Sequence, residues 1–213
     1  MLDNKKILMV IAHADDEIIV GWPIFQNPNI EKYILLVSTD ENNNERLWCN
    51  KRKYIFQDIC NKYNIKFKTI NNPSEFYRTK TRGISYPLSK IYQNIIDNIH
   101  DIKKEFNFDY IFTHNPHGEY GHLDHITCFN IIHNFTNYPI LITDIWLKTP
   151  TWPISKLNDR VIKNYYSNNV LSECTLNLNL HYDCKNMYEH NKYGQNCWTW
   201  SDEPLQKCSL YLI

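Results

Sequence analysis

Apolar runs alternate along the first two thirds of the chain with segments whose apolar positions recur every three to four residues. Residues 6–12 (KILMVIA) and 33–38 (YILLVS) are nearly continuous apolar runs, the pattern of strands buried on both faces of a sheet. Residues 66–70, 109–113 and 139–145 read as further strands. Between them, residues 45–63 carry Leu47, Tyr54, Ile55, Ile59 and Cys60 at helical spacing. Residues 88–106 carry Ile91, Ile95, Ile99 and Ile102 on one helical face, and residues 121–135 read as another helix. Asp15, Asp16 and Glu17 place acids where a helix starts, and Pro23 predicts that this helix kinks or ends early. Residues 71–87, with Pro, Gly and Ser, read as a long loop. Strand and helix alternate as far as Ile145, which predicts an α/β fold with a mostly parallel sheet and helices on both faces. Past that point the pattern weakens. Leu176, Leu178 and Leu180 alternate, but residues 148–213 yield no firm element.

Composition narrows the function classes. At 213 residues and 43% hydrophobic content the chain suits one domain with a substantial core. Lys and Arg number 23 and Asp and Glu number 23, so there is no basic excess for phosphates, and neither a nucleic-acid partner nor a membrane surface is expected. No stretch has the length of a stable membrane insertion. Seven cysteines, an odd number and none at C-x-x-C spacing, argue against a disulfide framework and against a thiolate metal site. With no signal-peptide pattern at the start, a cytoplasmic protein is the expectation.

Two polar clusters then change the picture. In parallel sheets, sites form beyond the carboxyl ends of strands. His13, Asp15, Asp16 and Glu17 follow the first strand directly; His114, His117, Glu119, Tyr120, His122, Asp124 and His125 follow the strand ending at Thr113. Zinc takes imidazole and carboxylate ligands, three of them with water in a catalytic site. His13 and Asp16 are three apart across a strand-to-helix turn, and His122 and His125 are three apart on one helix face, so the two strand ends can supply two histidines and a carboxylate. Further acids and imidazoles remain for proton transfer and for stabilising an oxyanion.

The run Ala12-His13-Ala14-Asp15-Asp16-Glu17 resembles the A-H-P-D-D-E signature of the PIG-L/LmbE-like zinc de-N-acetylases, and Gly121-His122-Leu123-Asp124-His125 resembles their G-H-P-D-H signature. The preceding His117-Gly118-Glu119-Tyr120-Gly121 is similar to members acting on glucosamine-containing compounds. The resemblance implies a single domain over residues 1–213, Rossmann-like over about 5–145, with a less regular C-terminal extension over about 146–213. It implies Zn2+ (or another divalent metal) on His13, Asp16 and His125, Asp15 as general base, and His122 as oxyanion stabiliser or acid. Asp124 would orient His122, Tyr120 would point into the site, and Arg52 would contact a small-molecule N-acetylated amino sugar. Ala14 and Leu123 stand where the signatures carry proline, and Ile55 where a glutamate often follows the arginine.

Two rivals share these residues. A metal-dependent phosphoesterase would use the same cation, with Arg78, Lys80 and Arg82 of the long loop for phosphate. A non-catalytic sugar- or nucleotide-binding module would need no turnover, though no G-x-G-x-x-G follows the first strand. Trp146, Trp152, Trp198 and Trp200 read as core aromatics, with sugar stacking as the alternative.

Overall fold

A computed structural model describes residues 2–38, 51–72, 88–147, 159–194, 196–198, 200 and 204–213. Strand β1 (Lys6–Ile11) leads through two single-turn helices, α1 (Asp16–Ile19) and α2 (Trp22–Phe25), into β2 (Glu31–Ser38). Pro23 sits in the first turn of α2, where its missing N–H costs nothing, so the expected break falls between α1 and α2. Next come α3 (Arg52–Lys62), β3 (Lys66–Asn72), α4 (Leu88–Phe106), β4 (Tyr110–Phe112), α5 (Gly118–Gly121), α6 (Leu123–Phe135) and β5 (Ile140–Thr143). The chain closes with α7 (Asp159–Tyr165), β6 (Val170–Thr175), α8 (Leu178–Glu189) and β7 (Lys207–Leu212).

The seven strands form one sheet in the order β3-β2-β1-β4-β5-β7-β6. β3, β2, β1, β4 and β5 run parallel to their neighbours; β7 pairs antiparallel with both β5 and β6. Strand order reverses between β1 and β4, so the carboxyl ends of those two strands border the crevice where α/β sheets place ligands.

Alternate residues of β1 feed opposite faces, as strand geometry requires. Ile7, Met9 and Ile11 pack with Trp22, Phe56, Ile59, Cys184 and Tyr188 from α2, α3 and α8. Leu8 and Val10 pack with Ile91, Ile95, Ile99 and Ile102 of α4 and with Cys128, Ile131 and Ile132 of α6. Each fully buried isoleucine contributes about 1.5–3 kcal/mol, so the periodic stripe of α4 fixes that helix onto the sheet.

The C-terminal region departs from the expected irregular extension. It adds two strands to the same sheet, and α8 packs on α3. β7 lies between β5 and β6, pairing Leu141 with Leu212 across a long stretch of sequence, which local pattern cannot reveal. Leu178 and Leu180, read as alternating, lie in α8. The helix expected over residues 121–135 begins at Leu123, because His122 is extended (φ −68°, ψ 122°) and caps it by accepting the Asp124 N–H.

Candidate functional site

β1 ends in a pinned turn. Ser38 donates its N–H and hydroxyl to the Ala12 carbonyl at 3.0 and 2.9 Å, and Thr113 Oγ1 donates to the Val10 carbonyl at 3.0 Å. The turn then passes through Asp15 at φ 103°, a left-handed conformation uncommon for a residue other than glycine. Its N–H is held by Glu17 Oε2 at 2.9 Å, and Glu17 Oε1 accepts the Tyr188 hydroxyl at 2.7 Å. On the second segment Gly118 takes φ 64°, and a Cβ there would stand 2.9 Å from Ile126 Cγ1, so the turn needs glycine.

These turns bring His13, Asp16 and His125 together. His13 Nδ1 lies 3.2 Å from His125 Nε2 and 3.6 Å from Asp16 Oδ2, and the third edge, His125 Nε2 to Asp16 Oδ2, is 3.4 Å. Ligands about 2.1 Å from one tetrahedral cation stand about 3.4 Å apart. The three donor atoms therefore have the spacing of a shared cation's ligands. His13 is about one-eighth exposed at its side chain, whereas Asp16 and His125 are buried.

The surrounding groups suit that reading. The opposite edge of the His13 ring, Nε2, meets Asp124 Oδ2 at 2.9 Å, and His125 Nδ1 meets Glu119 Oε2 at 2.7 Å. Each of these two imidazoles is thus backed by a carboxylate, an arrangement common around protein-bound metals. Asp124 was expected to orient His122; its carboxylate meets His13, and its backbone N–H reaches His122 Nδ1 at 3.2 Å. Burial depresses the His13 imidazole, but hydrogen bonds to Asp124 and Asp16 outweigh it and raise its pKa to about 10. A field that favours an imidazolium favours any cation. Burial works against ionising Asp16, yet the facing imidazoles of His125, His114 and His13 hold its carboxyl well below the usual range.

A second convergent set, Asp16, His114 and His125, fits a cation less well. His114 Nε2 accepts the Ala12 N–H at 2.9 Å, so that lone pair is already used. His122 converges with His13 and His125, its ring stacked on His125 at 4.8 Å and edge-on to His13 at 4.7 Å. Burial, with His13 and His125 beside it, pushes its pKa far down, so it is a neutral imidazole.

Asp15 is buried beside His13 and Asp16. Burial raises its carboxyl and Arg52 lowers it, leaving it at about 6. Arg52, at the start of α3, contacts Asp15 Oδ1 and the Ala14 carbonyl. Tyr120 packs edge-on against His122, His125 and Trp200 at 5.5, 5.4 and 5.1 Å. His13, Asp15, Asp16, Tyr120, His122, Asp124, His125 and Arg52 all reach this cluster, whereas His117 engages Asn115 through its backbone N–H. Sequence reasoning gave no individual role to Glu119, His114 or Tyr188, and Trp200, read as a core aromatic with sugar stacking as the alternative, lies against Tyr120. Only the run His117-Gly118-Glu119-Tyr120-Gly121 pointed towards Glu119, and nothing local pointed to Tyr188. Arg78, Lys80, Arg82 and Trp152 lie outside the described residues.

Cys197 is disulfide-bonded, although the cysteine count argued against a disulfide framework. Spacing along the chain does not report which sulfurs meet in space, and a disulfide is unusual in a reducing cytoplasm. Among the described residues no helix is long and apolar enough to cross a membrane.

No protein-family model matches the chain. A relative, uncharacterized protein L374 of Acanthamoeba polyphaga mimivirus, is 25% identical over 177 residues, covering 75% of this chain and 74% of that protein. Among solved structures, a deacetylase–teicoplanin complex from teicoplanin biosynthesis superposes with a TM-score of 0.59 at 9% identity, covering 98% of each chain. The zinc-inhibited form of teicoplanin deacetylase Orf2 gives 0.55 at 10% identity, covering 97% of each chain. The A40926 pseudoaglycone deacetylase Dbv21 gives 0.54 at 10%, covering 99% of this chain and 98% of that one. Over nearly its whole length, the C-terminal strands included, the chain shares the fold of these deacetylases.

Proposed function

We propose that this chain hydrolyses the N-acetyl amide of an acetylated amino sugar, releasing acetate and a free amine, at a zinc site made by His13, Asp16 and His125. The observation that carries the proposal is the triangle of donor atoms with edges of 3.2, 3.4 and 3.6 Å. The fold shared with the teicoplanin and A40926 pseudoaglycone deacetylases supports the choice of amide over phosphate. A divalent cation there supplies Lewis acidity and lowers the pKa of water towards neutrality.

The chain's own groups account for the proton traffic. Asp15 accepts a proton from the attacking water; a carboxyl at about 6 is largely ionised near neutrality and returns the proton readily. Arg52 keeps that carboxylate ionised and aimed, a role its contacts support more directly than the substrate contact expected from sequence. His122 and Tyr120, whose rings pack against the cluster, stabilise the negative charge that develops on the amide oxygen. Asp124 holds His13 in the tautomer whose Nδ1 faces the other ligands. Trp200 against Tyr120 extends an aromatic wall on which a sugar face can stack.

The test is a release assay on zinc-loaded protein with a panel of N-acetylated amino sugars and of phosphate esters. Acetate with a stoichiometric amine supports the proposal. Phosphate release, or binding of a sugar with no turnover, refutes it.

A further inference from the structure

We infer that Glu119 is the positioning residue of the cation site, a single carboxylate that orients His125 directly and ties the His13 segment to it through His114. The inference rests on the His13, Asp16 and His125 site proposed above.

Glu119 is buried and sits at φ 57°, a backbone conformation that favours glycine. A glutamate there bears a backbone cost, and its side chain shows what offsets it. Oε2 lies 2.7 Å from His125 Nδ1 and 3.0 Å from His114 Nδ1, while Oε1 accepts the Asn115 N–H at 2.8 Å.

The proton positions follow. A backbone N–H can only donate, so His114 Nε2, 2.9 Å from the Ala12 N–H, is an acceptor. The His114 proton is therefore on Nδ1 and is donated to Glu119. An ionised carboxylate can only accept, so His125 also donates from Nδ1. Its Nε2 lone pair is left facing His13 Nδ1 and Asp16 Oδ2. His114 further fixes the plane of His125 by stacking on it, with centroids 3.8 Å apart and planes at 23°. Ala12 directly precedes His13, so the chain of contacts from Glu119 through His114 to the Ala12 N–H locks the strand end that carries one ligand to the helix that carries another.

The test measures cobalt(II) affinity and visible absorption of wild-type protein, Glu119→Gln and Glu119→Gly, with melting of each metal-free form as the folding control. Gln offers one acceptor oxygen and turns an amide N–H towards a donor, so affinity is expected to fall by about 10–100-fold with an altered cobalt band. Gly accepts φ 57° without cost and gives the same fall where the Gln variant misfolds. Nitrogen NMR of zinc-loaded wild-type protein is expected to show a proton on His125 Nδ1. Wild-type affinity and an unchanged band in the folded variants, or an unprotonated His125 Nδ1, overturn the role of Glu119 alone. Failure of wild-type protein to bind cobalt or zinc overturns the cation site itself.

Discussion

Tyr188, in α8, donates its hydroxyl to Glu17 Oε1 at 2.7 Å across 171 residues of chain. Glu17 Oε2 in turn accepts the Asp15 N–H in the left-handed turn after β1. The C-terminal third thus supports Asp15, the proposed general base, through one buried carboxyl. Tyr188→Phe keeps the ring and removes the donor. Leaving a buried carboxyl short of one partner costs about 1–3 kcal/mol. For a chain of this size that is a fall in Tm of about 2–4 °C per kcal/mol. Thermal melting checks the stability. A loss of kcat beyond the change in folded fraction would show that the turn itself has relaxed, and an unchanged Tm would count against the contact.

Glu17 also sets a pH dependence. Burial raises its carboxyl from 4.5 to about 8 despite the Tyr188 hydrogen bond. The folded chain therefore binds this proton more tightly than the unfolded chain. The stability so contributed is fully present below about 4.5 and is lost as pH rises through about 8. Glu17→Gln, which cannot ionise, removes that loss. The difference in Tm between wild type and variant is expected to shift in favour of the variant from pH 5 to pH 9; a difference constant with pH would contradict it.

Much of this arrangement was visible in residue order. The apolar run of β1, the isoleucine stripe of α4 and the placement of His13 and His125 after β1 and β4 all express local periodicity, which packing then enforces. The elements that sequence missed depend on distant partners. β7 becomes a strand by pairing with β5 and β6, and its own six residues carry too little pattern to show it. Glu119 lies in a glycine-flanked turn within the polar run after β4, and which imidazoles its carboxylate meets is decided by the fold and not by local pattern. Arg52 was given by the resemblance as a substrate contact, and its pairing with Asp15 was not legible, because the turn angle at Asp15 decides where that carboxylate points.

Asp15→Asn tests the base. Asparagine is nearly isosteric and tolerates the left-handed backbone at φ 103°, so the turn should persist. It cannot take a proton from water. Turnover is expected to fall about 10²–10⁴-fold while metal content stays at the wild-type level. Full activity in this variant would remove Asp15 from the mechanism.

Two ligand sets share His13 and His125 and differ in the third member, Asp16 or His122. Charge favours Asp16, because an ionised carboxylate among these imidazoles offsets a divalent cation, while a third neutral imidazole leaves the full charge buried. His122 also has its Nδ1 engaged by the Asp124 N–H, which suits a group turned towards substrate. Asp16→Asn is therefore expected to lose metal at a chelator concentration that leaves wild type loaded, as is His125→Ala. His122→Ala should retain metal within a few-fold and lose about 10²–10³-fold in kcat, the usual cost of an oxyanion-stabilising donor. Elemental analysis after chelator dialysis separates the two sets: metal kept by Asp16→Asn and lost by His122→Ala would exchange their roles, because the cation would then sit between three imidazoles with Asp16 beside it.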